Sequence, residues 1–523
     1  MQRLRILSLF SIGIFLIAVS IIRVLEGRNS HSQRAQTLWA SLEIICAAGV
    51  AVTPSIYALA RNRSENSTIV ATLPLPVGYG SHTMTSRIVK DDQQGDRPCR
   101  QNIQSTGRMA STFKYKISCH CGVTAQTVTR SPINESKGIQ FGELVLCHCK
   151  YCRSNSGVLC VCGIRIKKPS SFQGLQAYNS SPTLARYFCT TCGCQVLGRW
   201  GDEATWKEED IAWMATTGVV SERLDTASNT GYKNGERADL EYMKHCNLES
   251  TKDGGLALWI DEVAGRRLKL YSNLGTGPEG FDPVGPASDR GAVLPASCRC
   301  GTVKFHITPP DAGSREPRSN FPDLIIPYHT QSPEIKNPND VKWWLRPVNI
   351  DSPTKYLAGT CACRTCRLTC GYEIQTWAFV PRHNIVFHIP NDEAAERGSG
   401  AKEADRLMPL NFSTLPAGTM KCYNSSPGVV REFCAKCGAT VFWHDQDRPE
   451  LIDVSVGILD APEGARAENW LDWWTERVSF SEEAGSGRSG IVKVRAESLI
   501  ENLGKGMRKS RQNPLSQGPR STS

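Results

Sequence analysis

Cysteine is the residue type most able to do chemistry in this chain. The sequence holds 22 cysteines in 523 residues, and most fall in short spaced motifs. Cys119-His120-Cys121-Gly122 and Cys298-Arg299-Cys300-Gly301 are CxC pairs followed by glycine. Cys147-His148-Cys149-Lys150-Tyr151-Cys152 and Cys361-Ala362-Cys363-Arg364-Thr365-Cys366 are CxCxxC triplets. Phe188-Cys189-Thr190-Thr191-Cys192-Gly193 and Phe433-Cys434-Ala435-Lys436-Cys437-Gly438 are CxxC knuckles. Thiolates supplied in close pairs from two turns are the usual make-up of a closed tetrahedral zinc site. The glycine after each knuckle lets the backbone turn tightly and aim N–H groups at sulfur.

Joining Cys119 and Cys121 to Cys189 and Cys192, and Cys298 and Cys300 to Cys434 and Cys437, gives two four-thiolate sites. Each would add about 10–16 kcal/mol of apparent binding energy to folding, against a typical net domain stability of about 5–15 kcal/mol. These sites are therefore structural. The triplets Cys147, Cys149, Cys152 and Cys361, Cys363, Cys366 supply three ligands each, which leaves a fourth zinc position for water or substrate. A second structural site with an unidentified fourth ligand is the competing reading. Cys160, Cys162, Cys194 and Cys370 lie nearby, but read better as small buried apolar residues. A disulfide network is disfavoured, because CxC is poor bridging geometry. His120 and His148 lie inside motifs, yet Arg299 and Ala362 occupy the equivalent positions, so a shared site does not need them.

The motifs recur in one order. Tyr178–Gly193 (YNSSPTLARYFCTTCG) and Tyr423–Gly438 (YNSSPGVVREFCAKCG) agree at ten of 16 ungapped positions, a constant 245 residues apart. Chance does not give that, so the chain carries two copies of one domain, over about 112–271 and 294–481, with a linker at 272–293. The second copy carries extra material around Phe321–Lys355, including Trp343-Trp344, read as surface loops on a metal framework. Short runs rich in Val, Ile, Thr, Tyr and Phe (Thr124–Thr129, Phe141–Leu146, Val158–Ile166, Thr302–Ile307, Glu373–Val380, Thr440–Trp443) predict antiparallel strands. Glu236–Cys246 is a helix candidate.

Composition bounds the rest. Hydrophobic residues make up 40% and charged residues 21%, which excludes a wholly disordered chain and a multi-span transporter. The net charge of +10 is concentrated in the tail, where Arg488, Lys493, Arg495, Lys505, Arg508, Lys509, Arg511 and Arg520 face only Glu497 and Glu501. Residues 482–523 read as a basic disordered tail. The core is near neutral, so no nucleic-acid groove is indicated. At the other end, Ile6–Ile22 is uncharged and Leu38–Ala60 is strongly apolar, which predicts a two-helix transmembrane hairpin over 1–63 and a polar linker over 64–111. RILSLFSIGIFLIAVSIIR and TLWASLEIICAA in this stretch resemble the last helices of fungal rhodopsin-like integral membrane proteins.

The order CxCG, CxCxxC, FCxxCG resembles the glutathione-dependent formaldehyde-activating family, also called the CENP-V/GFA domain, with an Mss4-like fold. The closing stretch Ile452–Asp460 with Pro462-Glu463 resembles that family's end. The resemblance implies a mainly β protein: two zinc-bound antiparallel Mss4-like domains in tandem. It implies a structural zinc on the outer motifs and a catalytic zinc on each triplet. It implies carbon–sulfur lyase activity on an adduct of glutathione and a small aldehyde, with glutathione as co-substrate. The family's commoner Cys-His-Cys start stands in the first copy, which favours that copy as the competent one. A non-catalytic zinc module is the alternative, because no carboxylate or histidine is common to both triplets. Zinc needs unoxidised thiols, so cytosolic zinc domains on a membrane anchor are expected, or a cytoplasmic protein without the hairpin.

Overall fold

Alternating burial sets the strands. Lys114–Ile117 presents Tyr115 and Ile117 inward and its lysines outward, and Glu143–Cys147 buries Leu144 and Leu146 in the same two-residue rhythm. The computed structural model describes residues 113–130, 143–224, 240–274, 279–284, 290–348, 350–390 and 405–512. The expected hairpin over 1–63 and linker over 64–111 lie outside them. Among the described residues, no helix is long and apolar enough to cross a membrane.

The protein is mainly β with many antiparallel sheets. In the first copy, β1 (Lys114–Ile117) pairs antiparallel with β2 (Gln126–Thr129) and with the later β9 (Val220–Arg223). β3 (Glu143–Cys147) leads into the helix α1 (Lys150–Ser156). A five-stranded sheet then runs in the order β4 (Gly163–Ile166), β8 (Ala212–Thr216), β7 (Gln195–Trp200), β6 (Leu184–Cys189), β5 (Leu175–Ser181). β10 (Glu241–Cys246) lies parallel to β3, with Cys246 opposite Cys147. Over the described part, 240–246, this corrects the helix expected over Glu236–Cys246. Tyr242, His245 and Cys246 are buried against β3, and that ladder outweighs local helix preference.

The second copy repeats the plan. β11 (Leu294–Ser297) and β12 (Lys304–Ile307) form a hairpin around the CxC turn, joined by β15 (Ile385–Ile389) and β16 (Arg406–Pro409). β13 (Lys355–Cys361) leads into α2 (Arg364–Cys370). Its large sheet continues β13, β14 (Gln375–Pro381), β20 (Leu451–Ser455), β19 (Thr440–Asp445), β18 (Val429–Cys434), β17 (Met420–Ser426), and β21 (Leu471–Trp473) pairs parallel with β13.

Two expectations fail here. The extra material of the second copy is core rather than surface loop: Trp343 and Trp344 are 1% and 0% exposed. Their indole N–H groups donate to the Asn320 and Ser314 carbonyls at 3.0 Å, which makes the burial affordable. The basic tail is not disordered over 490–512, where α3 (Gly490–Gln512) buries Val492, Ala496, Leu499, Ile500, Leu503 and Met507. Those residues recur at helical spacing beneath the flanking charges. Arg488, just before the helix, is buried and makes two bonds to the buried Glu373 carboxylate at 2.7 and 2.9 Å. The remainder, 513–523, lies outside the described residues.

The copies pack reciprocally. The His120 N–H donates to the Leu368 carbonyl of α2 at 3.1 Å, and the Arg299 N–H donates to the Ser154 carbonyl of α1 at 2.9 Å. Gly218 N–H meets the Gly371 carbonyl and Gly457 N–H the Gly157 carbonyl, both at 3.0 Å. Each contact has its counterpart with the copies exchanged, so the tandem repeat builds a pseudo-two-fold pair.

Candidate metal centres

The knuckles and CxC turns bring eight thiols into two groups of four. Gly193 and Gly438 have φ of +75° and +71°, and their N–H groups donate to the Cys189 and Cys434 carbonyls at 2.9 Å. A side chain at either position would strike a phenylalanine of the other copy, Phe433 or Phe188. In each group, Cys119, Cys121, Cys189, Cys192 and Cys298, Cys300, Cys434, Cys437, all four sulfurs lie within 4.8 Å of one another. Sulfur–sulfur contacts in these groups run from 3.4 Å (Cys119–Cys121, Cys298–Cys300) to 3.7 Å (Cys298–Cys434). A tetrahedron with Zn–S bonds of about 2.3 Å has edges of about 3.8 Å, so the donor set and spacing fit zinc. Every described cysteine is a free thiol.

The triplets are built by helix capping. Cys149 is the N-cap of α1 and accepts from the Cys152 N–H at 3.3 Å, and Cys363 caps α2 through the Cys366 N–H at 3.2 Å. The helices stop at Gly157 and Gly371, with φ of +85° and +86°. The three sulfurs of each triplet again lie within 4.8 Å of one another, with Cys147 and Cys152 at 3.8 Å. Each triplet is met by a buried arginine from the matched repeat. The Arg186 guanidinium donates to Cys152 Sγ at 3.1 Å, and Arg431 donates to Cys366 Sγ at 3.4 and 3.5 Å. Hydrogen bonds from the Cys147 and Cys149 thiols, joined by the Arg186 charge against the opposing pull of burial, hold the Cys152 thiol well below its ordinary value. Cys361, Cys363 and Arg431 do the same for Cys366. These arginines are matched in the two repeats, and that match was the available signal for them. In the sequence that match belongs to the repeat and does not point to the site.

The remaining candidates fall into place. Cys160, Cys162, Cys194 and Cys370 are buried and belong to none of the sulfur groups. Burial pushes the Cys160 and Cys370 thiols up to about 12. His120 is turned to the other copy, its Nδ1 2.7 Å from the Tyr423 hydroxyl. His148 pairs with His245 at 2.9 Å rather than with the sulfurs.

The sheet behind each triplet differs between the copies. Across β18, β19, β20 and β14, Arg431, Trp443, Asp453 and Phe379 stand opposite one another in one row. The equivalent row of the first copy is Arg186, Gly198, Met214 and Arg165. Trp377, Trp443 and Phe480 pack on the second triplet. Asp453 is buried and bonded to Arg448 at 2.7 Å, and burial, opposed by Arg448, raises its carboxyl to about 6. No carboxylate is common to both triplet motifs; this one stands on a sheet strand outside them, and its first-copy counterpart is Met214.

Fold and sulfur groups together define a tandem β protein with four thiol clusters fit to hold metal ions. The model of the family described as glutathione-dependent formaldehyde-activating enzyme matches residues 114–230 and 396–477. The first segment spans all three motifs of the first copy, and the second contains the knuckle Cys434/Cys437 and the closing strands. No curated protein and no solved structure matches the chain.

Proposed function

We propose that this protein is a zinc-dependent carbon–sulfur lyase acting on the adduct of glutathione and a small aldehyde. The observation that carries the reading is the triplet Cys361, Cys363, Cys366 with Arg431 on one sulfur and a carboxylate in the same sheet row. The outer clusters hold structural zinc and clamp the first strands of each copy to its knuckle. The three thiolates of a triplet hold the second zinc, which when bound supplies Lewis acidity and favours the ionised form of a thiol. Arg431 offsets the negative charge gathered at Cys366. Trp377, Trp443 and Phe480 wall the site and limit water.

In the joining direction, the glutathione sulfur forms a bond to the aldehyde carbon as the carbonyl π pair moves to oxygen. The thiol's proton ends on that oxygen, giving the hydroxymethyl thioether, and the reverse sequence releases the aldehyde. Asp453, near 6, is suited to carry that proton close to neutral pH. The first copy has Gly198 and Met214 where the second has Trp443 and Asp453, which favours the non-catalytic zinc-module reading for that copy. Working thiolates require a reducing compartment.

The test is NMR exchange between formaldehyde, glutathione and their adduct on the zinc-loaded full chain. Catalysed exchange lost in Cys363→Ser, with zinc on the outer clusters retained, supports the reading. Exchange no faster than in buffer overturns it.

A further inference from the structure

The two triplets differ in what the parallel strand beside them delivers. In the first copy Cys246, 4% exposed, stands opposite Cys147 in the β3–β10 ladder, and its carbonyl accepts the His148 N–H at 3.0 Å. In the second copy the same place belongs to Ser479, which bridges to Cys361 and accepts the Ala362 N–H at 2.9 Å. The next residues, Asn247 and Phe480, both have positive φ, +59° and +52°, so the two turns correspond residue for residue. Their chemistry does not. Asn247 Nδ2 donates to Cys147 Sγ at 3.1 Å and to Cys246 Sγ at 3.3 Å, gathering both sulfurs under one amide. Ser479 Oγ instead donates to Asp323 at 3.2 Å, and Phe480 packs on the triplet.

We propose that Cys246 is the fourth thiolate of the first-copy centre, so that Cys147, Cys149, Cys152 and Cys246 form a closed zinc site and only the second copy keeps an exchangeable position. Cys246 Sγ stands outside the 4.8 Å group that the other three make. One χ1 rotation moves a cysteine sulfur by about 3 Å, and no change in the ladder is required. N–H groups aimed at coordinated sulfur are the usual outer support of thiolate sites, and Asn247 fills that role for Cys147. The assignment reverses the expectation from the Cys-His-Cys start. The first copy becomes a second clamp, and turnover falls to the copy that has Asp453 and the aromatic wall. It rests on the zinc reading of the triplets given above.

The experiment loads the full chain with zinc, measures total zinc per chain, then counts the equivalents surrendered to a chromophoric chelator. A site with three thiolates and one exchangeable position gives up its ion at least about tenfold more readily than a closed one. The expected result is four zincs with one labile in the parent, two labile in Cys246→Ser and none in Ser479→Cys. Cobalt substitution gives a second readout: thiolate-to-cobalt absorption falls by one ligand in Cys246→Ser and rises by one in Ser479→Cys. Four bound zincs with two labile in the parent overturns the assignment while leaving the zinc reading intact. Only two zincs per chain overturns both. If Cys246→Ser fails to fold, the parent count and the Ser479→Cys gain still decide.

Discussion

Arg488 and Glu373 give the sharpest test of how the C-terminal segment is held. Arg488 bonds twice to Glu373 and also donates to the Thr217 and Val220 carbonyls at 3.0 and 3.2 Å. It therefore ties the chain entering α3 to both copies. The Arg488 and Glu373 side chains are 1% and 8% exposed. Replacing Arg488 with Met keeps the aliphatic bulk but leaves a buried carboxylate without its partner, a loss of about 3–5 kcal/mol. Arg367 also acts on Glu373, which places the expectation at about 3 kcal/mol. The double variant Arg488→Met/Glu373→Gln removes the orphaned charge and should recover at least about 2 kcal/mol, since a buried pair is often replaceable by neutral groups. Lys493→Met, which breaks an exposed pair with Glu497, should stay within about 0.5 kcal/mol. Urea unfolding followed by tryptophan fluorescence reads all three on the full chain. A single-variant loss under about 1 kcal/mol, or a double variant no better than the single, would refute the seating of this segment.

Glu373 also sets an acid limit. Burial alone would raise its carboxyl, but the Arg488 charge and hydrogen bonds outweigh that and leave it below its ordinary 4.5. The unfolded chain therefore binds the extra proton first. The pair's contribution is fully present above about pH 4.5 and is lost as pH falls through the folded value; unfolding midpoints from pH 7 to 3 should drop less steeply in the double variant. Gly157→Ala and Gly371→Ala should each cost more than about 2 kcal/mol, because both glycines have positive φ and an added Cβ would overlap the Thr440 or Gln195 carbonyl of the other copy; thermal unfolding checks this. Arg431→Met removes the cation from Cys366 and should weaken zinc at the second triplet by about 10–100-fold in chelator competition, leaving the outer clusters unchanged. Asp453→Asn should lower adduct exchange by about 10²–10⁴-fold without changing zinc content; unchanged exchange would remove Asp453 from the reaction.

The metal framework was legible because ligands come in local spacings: CxC, CxCxxC and FCxxCG each place their sulfurs through one turn. The strands beside them followed from β-branched alternation. What escaped reading was brought in from far along the chain. Arg186 and Arg431 reach sulfurs 34 and 65 residues away. Cys246 reaches Cys147 only through a parallel ladder, and no local pattern encodes a parallel partner. The helix α3 was hidden by composition, since its six lysines and arginines equal in number the six apolar side chains it buries, and that stripe becomes evident only at a period of 3.6. Trp343 and Trp344 read as loop residues because they fall in an insertion between cysteine motifs, yet tryptophan with a satisfied N–H is as good a core residue as any.

The reciprocity of the copies explains why both triplet helices persist although their surroundings have diverged. Gly157 and Gly371 end those helices against the other copy's sheet, and His120 and Arg299 carry the CxC turn of one copy onto the helix of the other. Each triplet is thus part of the surface that joins the copies, whatever chemistry it performs. Loss of the cap at Cys149 would disturb the seat of Arg299 and, through it, the outer cluster of the second copy. A first-copy site that has given up an open position can therefore still be required for the second copy to hold its shape. This coupling separates a clamp from a relic: Cys149→Ala, which removes the cap, should lower the midpoint at which the second copy's outer cluster releases zinc, measured by chelator competition during urea unfolding. A relic would leave that midpoint where it is.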